Sequence, residues 1–378
     1  MDVPTGPDKE RKQKRRRFKT KREADAWLAK LNHSLNTGGY VDPSSVTLRE
    51  YLADWLQDHG TNLRQTTLST YRGFIRNHIA PALGDIPVSN LTPMHLQSFY
   101  RSKLQSGRKD GKEGGLAPAS VKQMHAILHR ALKTAVQLKV ITNNPANAAE
   151  APEPSARKNE MRFLTIEQVR QLLKHAGETS TYYPIYQLAI FTGLRRGELL
   201  ALRWSDVNLD NRTASIRQTL TETYDGDLIK QPPKTRSGIR TVALSHEVIK
   251  LLRSHRVQQT ERRLKLGAAR ADENLIVTTN VGGYVNPSNL HRHFKKLLKR
   301  AQLPQVRFHD LRHTHATLML QQGEHPKVVS ERLGHNNIQI TLDTYSHALP
   351  NIQKEAADRL DETILGSQKQ YSERLSES

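Results

Sequence analysis

The chain is 378 residues long, 36% hydrophobic and 25% charged, and it contains no cysteine, which excludes disulfides, thiolate metal sites and cysteine nucleophiles. No apolar run approaches the roughly 20 residues that span a bilayer. Lysine and arginine outnumber aspartate and glutamate by 58 to 37, a net charge of +21, which favours a polyanion such as nucleic acid as the partner, with charge kept for solubility as the alternative.

Residues 1–46 form the first predicted segment, and its opening MDVPTGPDKERKQKRRRFK is strongly basic and poor in apolar residues. Such a run is typical of a disordered arm and equally of an arm that contacts DNA. It lacks the apolar centre of a signal peptide, so we expect the protein to stay in the cytoplasm. A helix is predicted to begin at Thr20, since Glu23 completes a capping box and apolar residues then recur at helical spacing.

Residues 47–145 are predicted to form a compact domain of helices. Thr47 and Glu50 make a second capping box, and Thr92 followed by a proline is the start signal of another helix. We expect Pro81 to end the helix before it, because proline lacks the backbone N–H that an interior helical position uses. No cluster of catalytic residue types occurs here, and the histidines are interpreted as surface or phosphate-contacting residues.

Residues 146–162 are rich in proline, alanine and asparagine without apolar periodicity, which is typical of a linker. The next predicted domain, residues 163–349, begins with a helix capped by Thr165 and Gln168. Short strands are predicted within residues 212–244 and again in LIVTTNVGGY, between further helices. The expected fold class is mainly α with a small antiparallel β-sheet (α+β), followed by a C-terminal helix and tail in residues 350–378.

The strongest chemical signal lies near the C-terminus, where one stretch contains His309, Arg312, His313, His335 and Tyr345. Guanidinium groups present a fork of donors that fits two oxygens of a phosphodiester. A tyrosine phenol can attack phosphorus and form a covalent phosphotyrosine. Preset arginine, histidine and lysine donors can stabilise the pentacovalent transition state without a metal.

Other site chemistries fit the sequence poorly. The spacing from His309 to His313 resembles a zinc-binding helix, but Asp310 stands where a metalloprotease needs glutamate. The chain has no Walker-type phosphate loop, no dinucleotide-binding glycine fingerprint and no carboxylate cluster for two magnesium ions. We therefore expect neither a metal nor a cofactor.

Three sequence blocks together resemble the tyrosine recombinase (phage integrase) family, in the form found in prophage and mobile-element integrases. The blocks are TGLRRGELLALRWSDV (192–207), HDLRHTHAT (309–317) and LGHNNIQITLDTYSH (333–347). The resemblance implies an arm-type DNA-binding segment in residues 1–46, a helical SAM-like core-binding domain in 47–145 and a catalytic domain in 163–349, forming a clamp around DNA. Few residues precede the first helix compared with similar integrases, so the arm-type segment is expected to be truncated.

The resemblance also implies a catalytic role for six residues: Arg195, Lys234, His309, Arg312, His335 and Tyr345. The two arginines would hold the scissile phosphate, and Lys234 would protonate the leaving 5′ oxygen. Glu198 and His313 would contact these catalytic groups and hold them in position. Arg196 is the alternative to Arg195, and Lys230 or Arg236 the alternative to Lys234.

The implied mechanism is DNA strand exchange by attack of Tyr345, through a 3′-phosphotyrosine and a free 5′-hydroxyl. A 5′-hydroxyl from a partner duplex reverses the step, which integrates or excises a phage or mobile element. The implied partners are double-stranded DNA at attachment core sites, with arm sites as a further contact, and copies of the chain in a tetramer joined through residues 350–378. Whether an excisionase and a host DNA-bending protein take part stays open.

Two alternative functions share this fold. One is a type IB-like DNA-relaxing enzyme, which uses the same nucleophile chemistry. The other is a catalytically silent DNA-binding protein. The complete set of six residues argues against the second, and the helical domain of residues 47–145 favours a recombinase over the first.

Overall fold

The computed structural model describes three long ranges of the chain, residues 45–153, 162–266 and 274–345. Shorter described pieces lie near the ends, at residues 2–3, 12–13, 17, 20–25, 28–29, 357–358 and 360–364. The described residues are mainly helical with small antiparallel sheets, which confirms the predicted fold class. The chain divides into two compact units, Met1–Ala156 and Arg157–Ser378. The finer domain limits drawn from the sequence stay predictions.

The short described pieces near the ends of the chain include the predicted start of the first helix. Strands β1 (Asp2–Val3) and β2 (Lys12–Gln13) pair antiparallel. Residues 21–25 are helical, and the Glu23 backbone N–H donates to the Thr20 hydroxyl at 3.3 Å, which confirms the predicted helix start. Most other residues of the arm-type segment, and the first half of the predicted tail helix, lie outside the described residues.

Within residues 45–153, the first unit contains five α-helices: α1 (Leu48–Gly60), α2 (Gln65–Phe74), α3 (Ala80–Leu83), α4 (Pro93–Ser106) and α5 (Pro118–Gln137). Both predicted start signals are present. Thr47 and Glu50 bond reciprocally at the start of α1, and Thr92 forms the same box with His95 in place of an acidic residue. Apolar side chains at helical spacing from α1, α4 and α5 build one core, and their removal from water stabilises the unit.

The prediction that Pro81 ends its helix is wrong. A π-helical turn, Ile75–Ile79, follows α2 directly, and the backbone N–H of Ala80 donates to the carbonyl of Ile75, five residues back. The chain then continues into α3, where Pro81 falls in the first turn. Proline is tolerated there because first-turn N–H groups have no partner within the helix. The π-helical turn shifts the backbone hydrogen bonds by one residue, so the helix continues although Pro81 has no N–H to donate.

Within residues 162–266 and 274–345, the second unit contains eight further α-helices: α6 (Ile166–Thr179), α7 (Tyr183–Thr192), α8 (Arg196–Ala201), α9 (His246–Leu266), α10 (Pro287–Arg300), α11 (Asp310–Gln321), α12 (Pro326–Leu333) and α13 (Ile338–Tyr345). Its strands are β3 (Val207–Asn208), β4 (Thr213–Ile216), β5 (Thr219–Glu222), β6 (Leu228–Gln231) and β7 (Arg240–Ala243). The strands form two antiparallel groups, β3-β4-β7 and the hairpin β5-β6. The predicted cap of α6 by Thr165 and Gln168 is confirmed.

The strand predicted in LIVTTNVGGY is not formed. Its apolar residues Leu275, Ile276 and Val277 are buried in the core, but the backbone pairs with the segment 202–204 through two hydrogen bonds only. Immediately afterwards the N–H of Thr279 donates to the carbonyl of Gly283 and closes a turn. This short apolar run is therefore a buried core segment that does not pair as a strand. Apolar periodicity alone does not distinguish such a segment from a buried strand.

Helix α7 lies in the middle of the second unit. It is apolar on nearly all faces, so it is buried against α6, α9 and α11. It ends at Gly193, whose φ of +65° is the left-handed conformation that reverses the chain direction after a helix. That reversal delivers Arg195 to the start of α8. In the described part of the chain, no helix combines the length and apolarity needed to cross a bilayer.

We expect Gly193→Ala to destabilise the second unit by about 2 to 4 kcal/mol. A Cβ at this position would lie 2.5 Å from a ring carbon of His315 and 2.9 Å from a methyl group of Leu333. The strain of a left-handed alanine adds about 1 kcal/mol to this overpacking. Denaturant unfolding measures the effect, and Gly226→Ala is the matched control, because Gly226 also has a positive φ of +94° but a Cβ there would meet nothing within 4 Å. Equal losses in the two variants would contradict the packing argument.

Candidate active site

All six residues predicted to be catalytic line one cavity of about 460 Å³ in the second unit. They come from separate elements: Arg195 precedes α8, Lys234 precedes β7, His309 and Arg312 lie at the start of α11, His335 follows α12, and Tyr345 ends α13. Glu198 and His313, the two predicted supporting residues, line the same cavity. The fold therefore brings together groups that are up to 150 positions apart in sequence.

The carboxylate of Glu198 anchors the arginine side of the cavity. It is 3% exposed and accepts from Arg195 Nη1 at 2.8 Å and from the backbone N–H of Arg195 at 2.9 Å. Arg240 donates to both carboxylate oxygens, at 3.1 and 2.9 Å. Burial alone would raise the pKa of Glu198, but the hydrogen bonds and charges of Arg240 and Arg195 lower it below its usual value. The carboxylate is therefore ionised and fixes the Arg195 guanidinium.

Arg312 is the most deeply buried cation of the site. Its Nη1 donates to the carbonyl of Gly193 at 2.9 Å and its Nη2 to the carbonyl of Leu333 at 2.6 Å. Burial, and then the charge of Arg195, lower the pKa of Arg312 to about 9. Two guanidinium groups facing one cavity repel each other, and a bound anion would relieve that repulsion. The arrangement is suited to an oxyanion such as phosphate.

His335 follows the left-handed Gly334 that ends α12, where φ is +68°. Its Nδ1 is 2.8 Å from the hydroxyl of the fully buried Thr341. That hydrogen bond leaves Nε2 as the ring nitrogen for a ligand in the cavity. Burial and the charges of Arg312 and Arg195 lower the pKa of His335 to about 4, so the ring is neutral at pH 7 and acts by hydrogen bonding.

Tyr345 is 1% exposed and packs with Leu320, Val329 and Leu333 in a small core of its own. Its hydroxyl lies 2.8 Å from Nδ1 of His313. Burial raises the pKa of Tyr345 to about 12, against a smaller lowering by the charge of Arg312. The ring of His313 in turn meets the ring of His309 edge to face, with centroids 5.3 Å apart. Burial, then the charges of His313 and Arg312, lower the pKa of His309 to about 4.

The positions of Lys230 and Arg196 bear on two of the alternatives that the sequence left open. Lys234 lines the cavity, whereas Lys230 lies on β6 with its ammonium 5.2 Å from the ring centroid of Tyr284. Arg195 lines both this cavity and a neighbouring pocket, whereas Arg196 lines the neighbouring pocket, with His291 and Arg307, and not the cavity. These placements favour Lys234 and Arg195.

Sequence reasoning missed Arg240, which is 7% exposed and holds Glu198 from the opposite side. Its Nε also donates to the carbonyl of Arg332 at 2.8 Å, which ties β7 to α12. The only available signal was chemical: a buried carboxylate next to one partly exposed arginine needs a further partner. Glu198 and Arg240 are 42 positions apart, and this spacing does not identify Arg240 as that partner.

His315 contributes to the structure of the site and does not line the cavity. Its Nδ1 lies 2.8 Å from the carbonyl of Ile190, and its Nε2 accepts from Arg332 Nε at 3.1 Å. Arg332 continues to the carbonyls of Ala243 and Phe191 at 2.9 and 2.8 Å. Among the described residues, no group of three or more metal-ligating side chains is arranged to hold an ion.

Two family profiles match the chain. Residues 162–351 match the phage integrase family, and residues 47–104 match the phage integrase N-terminal SAM-like domain. A tyrosine recombinase XerC-like protein of Caldanaerobacter subterraneus subsp. tengcongensis is 29% identical over 97% of this chain and 96% of its own length. The ICEBs1 integrase of Bacillus subtilis is 28% identical over 91% of each chain, and the integrase of Mycobacterium phage D29 is 28% identical over 92% and 89%.

Solved structures share the fold. The Tn1549 transposon integrase in complex with a circular intermediate DNA aligns with a TM-score of 0.65 at 22% identity, over 84% of this chain and 100% of that one. A lambda integrase dimer bound to a COC′ core site aligns with a TM-score of 0.56 at 21% identity, over 86% of each chain.

The fold and the two matched profiles define the class of protein, an enzyme of site-specific DNA recombination. The integrase profile alone covers half of the residues. The chain therefore belongs to the phage integrase family, the tyrosine recombinases.

Proposed function

We propose that this recombinase cleaves and rejoins DNA through a covalent bond between Tyr345 and a 3′ phosphate, and so integrates or excises a phage or mobile element. One observation carries the proposal: the Tyr345 hydroxyl and five potential donors, Arg195, Lys234, His309, Arg312 and His335, line one cavity. No other pairing of nucleophile and donors was as well supported by the sequence.

The cationic wall of the cavity binds the scissile phosphate. Arg195 and Arg312 neutralise its two non-bridging oxygens, and Nε2 of His335 donates to one of them. Each guanidinium is already oriented, by Glu198 and by the carbonyls of Gly193 and Leu333. Donors that are fixed before reaction stabilise the charge of a pentacovalent transition state without a cost of reorganisation.

The reaction exchanges one phosphodiester for another. Tyr345 Oη forms a bond to phosphorus while the bond from phosphorus to the 5′ oxygen breaks, and Lys234 gives a proton to the leaving 5′ oxygen. A 5′-hydroxyl from a partner duplex then attacks the phosphotyrosine and gives its proton to Lys234. The bond from phosphorus to the Tyr345 oxygen breaks, and that oxygen takes up a proton, which restores Tyr345. His309 lies beside His313 at the same cavity and supports the nucleophile side. Phosphodiester energy is conserved, so no cofactor enters the scheme.

The substrate is double-stranded DNA at attachment core sites, with arm sites as a further contact. The net charge of +21 supports this partner, and the two solved structures of the same fold are bound to a circular intermediate DNA and to a core site. A tetramer on two duplexes, closure of both domains as a clamp, and participation of an excisionase or a DNA-bending protein remain predictions. In the tail, Leu360 and Ile364 are 58% and 59% exposed, which suits a helix that docks on a neighbouring protomer.

A nicked suicide duplex tests the proposal. Its core is the direct repeat flanking the gene, and the nick lets the short 5′-hydroxyl strand diffuse away so that the covalent complex accumulates. We expect an adduct that retains the strand bearing the 3′ phosphate, and mass spectrometry of tryptic peptides should place the nucleotide on Tyr345. An adduct on another residue, or none, would contradict the assignment. A plasmid carrying two sites then distinguishes recombinant circles from mere relaxation.

A further inference from the structure

The hydroxyl of Tyr345 has a defined partner before any DNA is bound. In the described part of the chain it makes one hydrogen bond, 2.8 Å long, with Nδ1 of His313. His313 lies one helical turn after His309 on α11, so α11 brings the ring to the end of α13 where Tyr345 is located. Neither ring has freedom to turn away, because Tyr345 is 1% exposed and His313 packs against His309.

Attack by a buried phenol requires a proton acceptor. With its pKa raised to about 12, Tyr345 is ionised at pH 7 in only about 10⁻⁵ of the molecules. The proton must therefore leave during the attack, to a base within hydrogen-bond reach of Oη. Among the described residues, Nδ1 of His313 is the acceptor recorded at hydrogen-bond distance from Oη.

His313 has the charge state and the surroundings of such a base. Burial lowers its pKa, the charges of Arg307 and Arg312 lower it further, and the charge of Asp310 raises it. The ring is thus neutral at pH 7, and Asp310 favours the imidazolium that forms when a proton arrives. Asp310 is itself fixed, since Arg307 donates to it through its backbone N–H and through Nε and Nη2.

We propose that His313 is the general base that takes the proton from Tyr345 Oη as this oxygen attacks phosphorus. The inference rests on the proposed function of Tyr345 as nucleophile. In cleavage, the Oη–H bond breaks, Nδ1 of His313 gains the proton, the Oη–phosphorus bond forms and the 5′ oxygen leaves. In rejoining, the imidazolium returns the proton to the departing Oη, and the base ends neutral. His313 is a catalytic residue in this scheme, because it touches a reacting atom.

The test separates proton transfer from positioning. Asparagine places an acceptor oxygen near the position of Nδ1, so His313→Asn can hold the Tyr345 hydroxyl but takes up no proton. We expect single-turnover cleavage of the nicked duplex to fall by about 10²- to 10⁴-fold, the usual range for a general base. We further expect partial recovery in His313→Asn when position 345 carries 2,3-difluorotyrosine, whose phenol ionises more readily. The same replacement in the otherwise native chain should bring no gain.

The pH profile gives a second readout. Native cleavage should lose rate as the pH falls through the pKa of His313, because the protonated ring cannot accept a proton. In His313→Asn that acid limb should vanish and the rate should rise with pH toward ionisation of the phenol. Native-like cleavage by His313→Asn, or loss of the acid limb in His309→Asn instead, would overturn the inference. Absence of any adduct with the native chain would overturn the proposed function itself, which is a different result.

Discussion

Tyr345→Phe is expected to form no covalent adduct with the nicked duplex, while still binding it. Removal of Oη takes away the only atom that the mechanism joins to phosphorus, so no residual route through the same intermediate remains. The phosphate contacts of Arg195 and Arg312 do not depend on the phenol, so affinity for the duplex should change less than about threefold. Gel electrophoresis under denaturing conditions measures the adduct, and a mobility shift under native conditions measures binding.

The stability of this variant should fall only slightly. The lost hydrogen bond to His313 is worth about 1 kcal/mol, and the ring that fills the small core is kept. Tyr51→Phe is the matched control, because Tyr51 is also buried and donates to the carbonyl of Ala131 at 2.7 Å, far from the cavity in sequence. We expect similar small losses of stability in both variants but full cleavage in Tyr51→Phe. Adduct formation by Tyr345→Phe would remove this residue from the nucleophile role.

Local signals in the sequence predicted local structure well. The capping boxes at Thr47 and Thr165 depend on two residues three positions apart, and both are formed as expected. The motif that predicts Arg195 also contains the residue that holds it, because Glu198 lies one turn further along α8. Such features were accessible because spacing within one helix fixes which side chains meet.

Contacts between distant elements were not accessible in the same way. The failure at Pro81 came from a π-helical turn that no propensity signals, and the failure at LIVTTNVGGY from burial without strand pairing. Arg240 and the hydrogen bond between His313 and Tyr345 depend on packing of β7, α11 and α13. The sequence identified His313 as a supporting residue but did not indicate its contact with the Tyr345 hydroxyl.

The cationic wall of the cavity explains why one carboxylate matters so much. Burial, and then the charges of Arg195 and Arg240, lower the pKa of Arg312, and Glu198 is the anion that acts against this lowering. In the proposed mechanism, a phosphate neutralises Arg195 and Arg312 only while DNA is bound. In the free protein, Glu198 must offset the repulsion among these arginines alone. We therefore expect this residue to affect both the stability of the second unit and the orientation of Arg195.

Glu198→Gln is therefore expected to destabilise the protein by about 3 to 5 kcal/mol and to lower cleavage at least 10²-fold. The neutral amide leaves Arg240, at 7% exposure, as a buried charge without a counter-ion, and that loss typically costs this much. Arg195, at 38% exposure, survives in water but loses the charged partner that holds its guanidinium. Urea unfolding measures the first effect and single-turnover cleavage the second. Glu222→Gln is the control, since Glu222 accepts from Asn286 and Ser288 near the same strands without a buried ion pair.

The double variant Glu198→Gln with Arg240→Met separates the two effects. Removing both members of a buried pair is often close to neutral, so most of the lost stability should return. Cleavage should stay low, because Arg195 remains without the carboxylate that orients it for the phosphate. Recovery of cleavage together with stability would show that Glu198 acts through folding alone. Persistent loss of cleavage in a protein restored to stability would instead tie the carboxylate to the orientation of Arg195, which is the outcome that the contacts of this site predict.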